Sequence, residues 1–203
     1  MTGISKGREI AIGVRTHTGW AAYVILCGDP EAPTLVGRGR LDLSDAANEE
    51  SKMLYHAAES MPYERARKHI ERRRISTARL ADRALGAILG EGARVKGCCV
   101  LTASGKPLPE LRSILSSHAL IHAAEGEFYR AAVAEACARR KIAVQRVRER
   151  DVAEETMVLP VSAARRRDRL IALGKQAGPP WTQDQKLSAL GAWLVLAARS
   201  SPR

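Results

Sequence analysis

Apolar and polar positions alternate at the start of the chain. Ile10, Ile12 and Val14 are interleaved with Ala11, Gly13 and Arg15, a period of two that predicts a strand. A turn at Thr16-His17-Thr18-Gly19 leads into Trp20–Cys27, an almost unbroken apolar run that reads as a strand covered on both faces. Gly28-Asp29-Pro30 ends it. Residues 34–43 form a third strand, with Leu35, Leu41 and Leu43 on one face and Val36, Arg38, Arg40 and Asp42 on the other. Short turns between three strands predict an antiparallel meander.

The period then changes. Residues 46–90 form a long Arg-rich helical segment, broken at Met61-Pro62 and stopped by Gly90 and Gly92. Residues 95–102 are a fourth strand, 109–140 a helix and 142–147 a fifth strand. A last helical region follows, broken near Leu159-Pro160 and at Gly178-Pro179-Pro180, with a final helix over 182–199. The order β-β-β-α-β-α-β-α predicts an α/β fold with a five-stranded mixed sheet and helices on both faces. The right-handed crossover rule sets strands four and five parallel to strand one. Residues 1–203 read as one such domain.

This element order resembles that of the ribonuclease H-like superfamily, in particular its RuvC-type resolvase branch. Residues 12–21 (I-G-V-R-T-H-T-G-W-A) are similar to the family's strand-one motif, and 184–196 (D-Q-K-L-S-A-L-G-A-W-L-V-L) to its final Asp-bearing, alanine-rich helix. The resemblance implies two divalent cations held between carboxylates, a device that stabilises both oxygens of an in-line phosphoryl displacement. It also shows departures. Arg15, with neighbours Thr16 and His17, stands at the first acid's position. Thr102 stands near that of strand four, and Ser188 where a second helix acid often lies. Asp184 alone carries over. The implied protein binds DNA or RNA with nuclease activity lost or rebuilt.

A second candidate lies in the helix after strand four. At 100° per residue from Leu111, the residues Ile114, Leu115, Ile121, Phe128, Ala132 and Ala136 share one arc. His118, His122 and Glu125 fall in that arc at about 340°, 20° and 320°, while Glu127 points to solvent at about 160°. Burying two imidazoles and a carboxylate without partners costs several kcal/mol. A divalent metal (Mg, Mn or Zn) on His118, His122 and Glu125 would compensate, as would an acid–base site. So would hydrogen bonds to a neighbouring element, with Arg15 and Tyr55 as candidate partners. Asp184 joins these three as a candidate catalytic group. It also fits a capping box formed by Thr182 and Gln185.

Composition narrows the classes. Apolar residues make up 45% and aromatic residues 4%, so the core is aliphatic and alanine-rich, which excludes collagenous and disulfide-stapled classes. The longest charge-free apolar run, 187–198, is shorter than the ~18 residues of a membrane span, so no membrane association is expected. The N-terminus lacks the apolar stretch of a signal peptide. Cys27, Cys98, Cys99 and Cys137 lack metal-site spacing and read as buried thiols in a reducing cytoplasm. The net charge of +11 comes from 33 basic residues in runs such as Arg72-Arg73-Arg74 and Arg165-Arg166-Arg167. Such runs are solvated helix faces unless several converge on one surface. Arg15, His17, Ser104 and Lys106 are the candidate phosphate-binding residues, at the first hairpin tip and at a turn entering a helix. Besides nucleic-acid binding, two readings stay open. One is a hydrolase acting on a small phosphorylated or acidic ligand. The other is a non-enzymatic interaction module using the Arg-rich helix.

Overall fold

The computed structural model describes residues 8–44, 53–90, 92–103 and 106–198. Ser104 and the start of the 46–90 segment lie outside them. The strands are β1 (Glu9–His17), β2 (Trp20–Cys27), β3 (Thr34–Asp42), β4 (Arg94–Thr102) and β5 (Val144–Arg148). They form one sheet in the order β3-β2-β1-β4-β5. β1, β2 and β3 pair antiparallel, and β4 and β5 run parallel to β1, as the crossover rule requires.

The helices are α1 (Leu54–Glu59), α2 (Tyr63–Leu89), α3 (Leu111–Leu115), α4 (His118–Arg139), α5 (Val152–Glu155), α6 (Ala163–Ala177) and α7 (Gln183–Ala197). Because side chains alternate across a strand, the sheet feeds two cores. Ile10, Ile12, Val14, Tyr23, Ile25, Cys98 and Val100 pack with Leu85, Phe128, Tyr129 and Val133 from α2 and α4. Ala11, Val24, Leu26, Cys99 and Leu101 pack with Trp193, Leu194 and Val195 from α7. The nearly continuous apolar runs of β2 and β4 follow from burial on both faces.

Gly13 sets how closely α7 approaches. A Cβ built there would lie 1.8 Å from the carbonyl oxygen of Ser188 and 2.6 Å from the amide nitrogen of Ala192. Only a residue without a side chain lets the helix backbone rest on β1 at that point. Arg38 on β3 fixes the other approach to α7. Its guanidinium donates to the carbonyls of Gly178 at 3.1 Å and Pro180 at 2.8 Å, binding the turn between α6 and α7 to the sheet.

The helix expected over 109–140 is two helices. The chain turns at Ser116 and Ser117, and Ser117 is extended (φ −140°, ψ 115°). The arc expected to face the core still does so in α4, where Ile121, Phe128, Ala132 and Ala136 are buried. His118 and His122 are exposed on α4, whereas Glu125 is buried at 3% exposure. Glu127, expected in solvent, is half-buried in ion pairs with Arg130 and Arg146.

Candidate functional site

The ends of β1, β4 and β5 and the start of α7 meet at the carboxyl edge of the sheet, where open α/β sheets bind ligands. Arg15 stands at the centre of this edge. Its Nη1 donates to Asp184 Oδ1 in the first turn of α7, and its Nη2 donates to Glu149 Oε2 at 2.8 Å, just past β5. His17 Nε2 lies 3.0 Å from the same Asp184 oxygen, and its ring stacks on Trp20 with centroids 4.3 Å apart. Arg40 covers Trp20 at 4.6 Å.

The titration of this edge follows from its contacts. Burial pushes the Asp184 carboxyl up, but hydrogen bonds from Arg15 and His17 and their charges outweigh it, so Asp184 sits below the usual carboxylate range. Burial works against the Arg15 guanidinium, and Glu149 and Asp184 more than restore it, so Arg15 stays cationic. Thr102 is buried at the end of β4. Ser188 is fully buried, and its hydroxyl donates to the Ala22 carbonyl at 3.3 Å. The capping box expected at α7 is present: Thr182 Oγ1 accepts from the Gln185 amide, and Gln185 Oε1 accepts from the Thr182 amide.

Beside this edge, Thr102, Lys106, Leu108, Glu127, Arg146 and Arg148 line a cleft of about 650 Å³. Glu127 is engaged by Arg146 at 2.6 Å and Arg130 at 2.9 Å. Burial raises its carboxyl, and the two guanidinium groups bring it below its ordinary value.

The second candidate is assembled differently from its expectation. Glu125 turns inward and receives the start of α1. Its Oε1 accepts from the Tyr55 amide at 3.0 Å and the His56 amide at 3.3 Å, and lies 3.1 Å from His56 Nδ1. The buried carboxylate thus meets orphan amides of a helix N-terminus, which satisfies both partners. For Glu125 the partner is a neighbouring helix, and Tyr55 is in it. His118 and His122 face outward with their Nε2 atoms 3.0 Å apart. His56 joins them, its ring centroid 5.3 Å from that of His118 and 4.7 Å from that of His122. Asp184 belongs to the Arg15 cluster and not to this one.

Several basic runs are neutralised. Arg74 pairs with Glu71 and Glu135, Arg139 with Glu135, Arg140 with Asp82, and Arg148 with Asp151. A different set is not. Arg65, Lys68, Arg72, Arg79 and Arg83 are exposed on α2 and form no ion pair among the described residues. At 100° per residue they share an arc of about 60° and run for about 27 Å along the helix. Three groups were not singled out from sequence: this stripe, His56 and Glu149. The stripe was legible as a helical spacing. His56 and Glu149 had no local signal, since their partners lie 69 and 134 residues away.

These elements define the ribonuclease H-like fold. Among solved structures, the chain resembles Thermus thermophilus RuvC in complex with a Holliday junction substrate: TM-score 0.51, 10% identity, over 92% of this chain and 91% of that one. A second Thermus thermophilus RuvC structure matches at TM-score 0.48 and 11% identity, over 91% of this chain and 92% of that one. No protein-family model matches the chain, and no curated protein is similar to it in sequence. No helix among the described residues is long and apolar enough to cross a membrane.

Proposed function

We propose that this protein binds nucleic acid through the α2 stripe and does not cleave it by two-metal chemistry. The observation that carries the reading is the row of five exposed cations on one helix face, unpaired among the described residues, whereas Arg74, Arg139, Arg140, Arg146 and Arg148 are each paired with a carboxylate. A phosphate backbone needs several cations tracking it, and about 27 Å of helix spans several phosphates. The fold supports the reading by analogy, since the RuvC structure it resembles holds junction DNA.

The carboxyl edge does not fit the divalent cations that the fold family implies. Two metals need several carboxylates with free oxygens. Here the guanidinium of Arg15 lies between Asp184 and Glu149 and takes up their negative charge. Thr102 and Ser188 offer hydroxyls at the remaining positions. Arg15 supplies internally the positive charge that a metal would bring. Arg15 and His17 are structural partners of Asp184 in this reading, and Lys106, beside Arg146 and Arg148, remains the phosphate contact in the cleft. The four cysteines are buried and unpaired, which favours a reducing compartment such as the cytoplasm.

The test is fluorescence anisotropy with labelled linear duplex and four-way junction DNA across a salt series. If the five stripe cations each meet a phosphate, log K falls against log salt with a slope of about −4.5. Replacing Arg65, Arg72 and Arg79 together by Ala should flatten that slope by about 2.7. Binding that ignores both salt and the triple change refutes the reading.

A further inference from the structure

Three of the chain's five histidines, His56, His118 and His122, meet at one place, although they come from two helices. One nitrogen of each lies within 4.8 Å of the other two. We propose that these three imidazoles bind a single zinc ion, with Glu125 as the residue that orients His56.

Imidazole nitrogens this close share either a proton, in an N–H···N hydrogen bond, or a metal ion. A tetrahedral zinc with Zn–N bonds of 2.0–2.1 Å spaces its nitrogens by about 3.3 Å. The Nε2 atoms of His118 and His122 are already 3.0 Å apart. The i, i+4 spacing on α4 places both rings on one side of the helix, so the pair is set by the backbone. His56 closes the set from α1.

The strongest support is Glu125. Its buried carboxylate lies 3.1 Å from His56 Nδ1. A proton on Nδ1 donates to that oxygen and leaves Nε2 with its lone pair available to a metal. Metal-binding histidines are commonly held this way, with a carboxylate fixing the tautomer and raising the basicity of the ligand nitrogen. The same oxygen is anchored by the Tyr55 and His56 amides, so the carboxylate cannot rotate away without uncapping α1. Glu125 is therefore a positioning residue, where the sequence pattern had made it a ligand.

The donor set decides which metal. Three neutral nitrogens without thiolate or carboxylate suit zinc and its neighbours in the first row, and suit magnesium or calcium poorly. His118 and His122 are exposed, so the fourth position faces solvent and takes water. That is the arrangement of an open zinc site. It is separate from the Arg15 edge and independent of the nucleic-acid reading.

The experiment uses the untagged full chain, stripped with a chelator and titrated with Zn²⁺ by calorimetry, with Co²⁺ by visible absorption and with Mg²⁺ as a control. One equivalent of Zn²⁺ is expected, with tetrahedral or five-coordinate Co²⁺ bands and no Mg²⁺ binding. X-ray absorption should show an all-nitrogen/oxygen shell with imidazole scattering. His122→Ala and His118→Ala, both at exposed positions, should weaken Zn²⁺ binding more than ~100-fold while circular dichroism stays unchanged. Glu125→Gln keeps an acceptor for α1 and should weaken binding by ~10–100-fold. Four results overturn the proposal: no Zn²⁺ binding by the wild-type chain, binding unchanged in His122→Ala, sulfur in the shell, or Mg²⁺ bound as tightly as Zn²⁺.

Discussion

Arg15 on the first strand and Asp184 on the last helix form an ion pair across 169 residues of chain, and Glu149 completes it from the other side. The pair ties β1, the exit of β5 and the start of α7 together at the carboxyl edge of the sheet, the edge where open α/β sheets bind ligands. Removing the cation leaves two carboxylates facing each other in a partly buried setting. Arg15→Ala should therefore destabilise the protein by about 1–2 kcal/mol, between the values of exposed and buried pairs. Urea unfolding with an unchanged m-value measures it.

Arg15→Asp makes the complementary prediction. It would set a third carboxylate beside Asp184 and Glu149 and remove the internal cation. Wild-type protein should show no shift in Tm with millimolar Mg²⁺, whereas Arg15→Asp should be stabilised by it, because only a state that binds the ion gains from it. Absence of any Mg²⁺ effect on that variant would show that the edge lacks room for a cation.

The acid limb of stability follows from the same contacts. Asp184 and Glu127 have folded-state pKa values below their ordinary ones. Their contribution is present above the unfolded-state pKa and is lost as pH falls through the folded-state value. Stability should hold near neutrality and decline below about pH 4, the usual carboxylate range. Asp184→Asn should flatten that decline, as read by chemical denaturation at successive pH values.

Gly13→Ala should be among the most damaging single changes in the protein. Its Cβ would lie 1.8 Å from the Ser188 carbonyl oxygen, a backbone atom that cannot swing aside. A cost of at least ~3 kcal/mol is expected, at the upper end for overpacking. Thermal melts or loss of folded protein would report it, and a near-native Tm would contradict the close approach of α7 to β1.

The thiols give a probe of the core. All four cysteines are buried, and burial pushes Cys99 up to about 12. A thiol reagent should leave the native chain unlabelled at neutral pH and modify four sulfurs in denaturant. Fast labelling of the native chain would indicate an opening of the sheet's helical layers.

The sequence by itself determined the fold. Period-two strands, fully apolar runs for the central strands, a proline and a glycine pair bounding α2 and the Thr182 capping box are local signals, and local sterics and hydrogen bonding set them. α2 came out at Tyr63–Leu89 and the mixed sheet in the expected order. One local signal misled. The break at Ser116-Ser117 is a backbone turn without proline or glycine, so residues 109–140 keep one helical pattern across a point where the chain changes direction. Glu125 is inside, as its arc predicts, while His118 and His122 lie exposed in the first turns of α4. The tertiary structure alone decided the partners: Arg15 with Asp184 and Glu149, and Glu125 with the start of α1. Those pairings join elements far apart in the chain, and their energy depends on distance and burial, which no spacing along a sequence encodes.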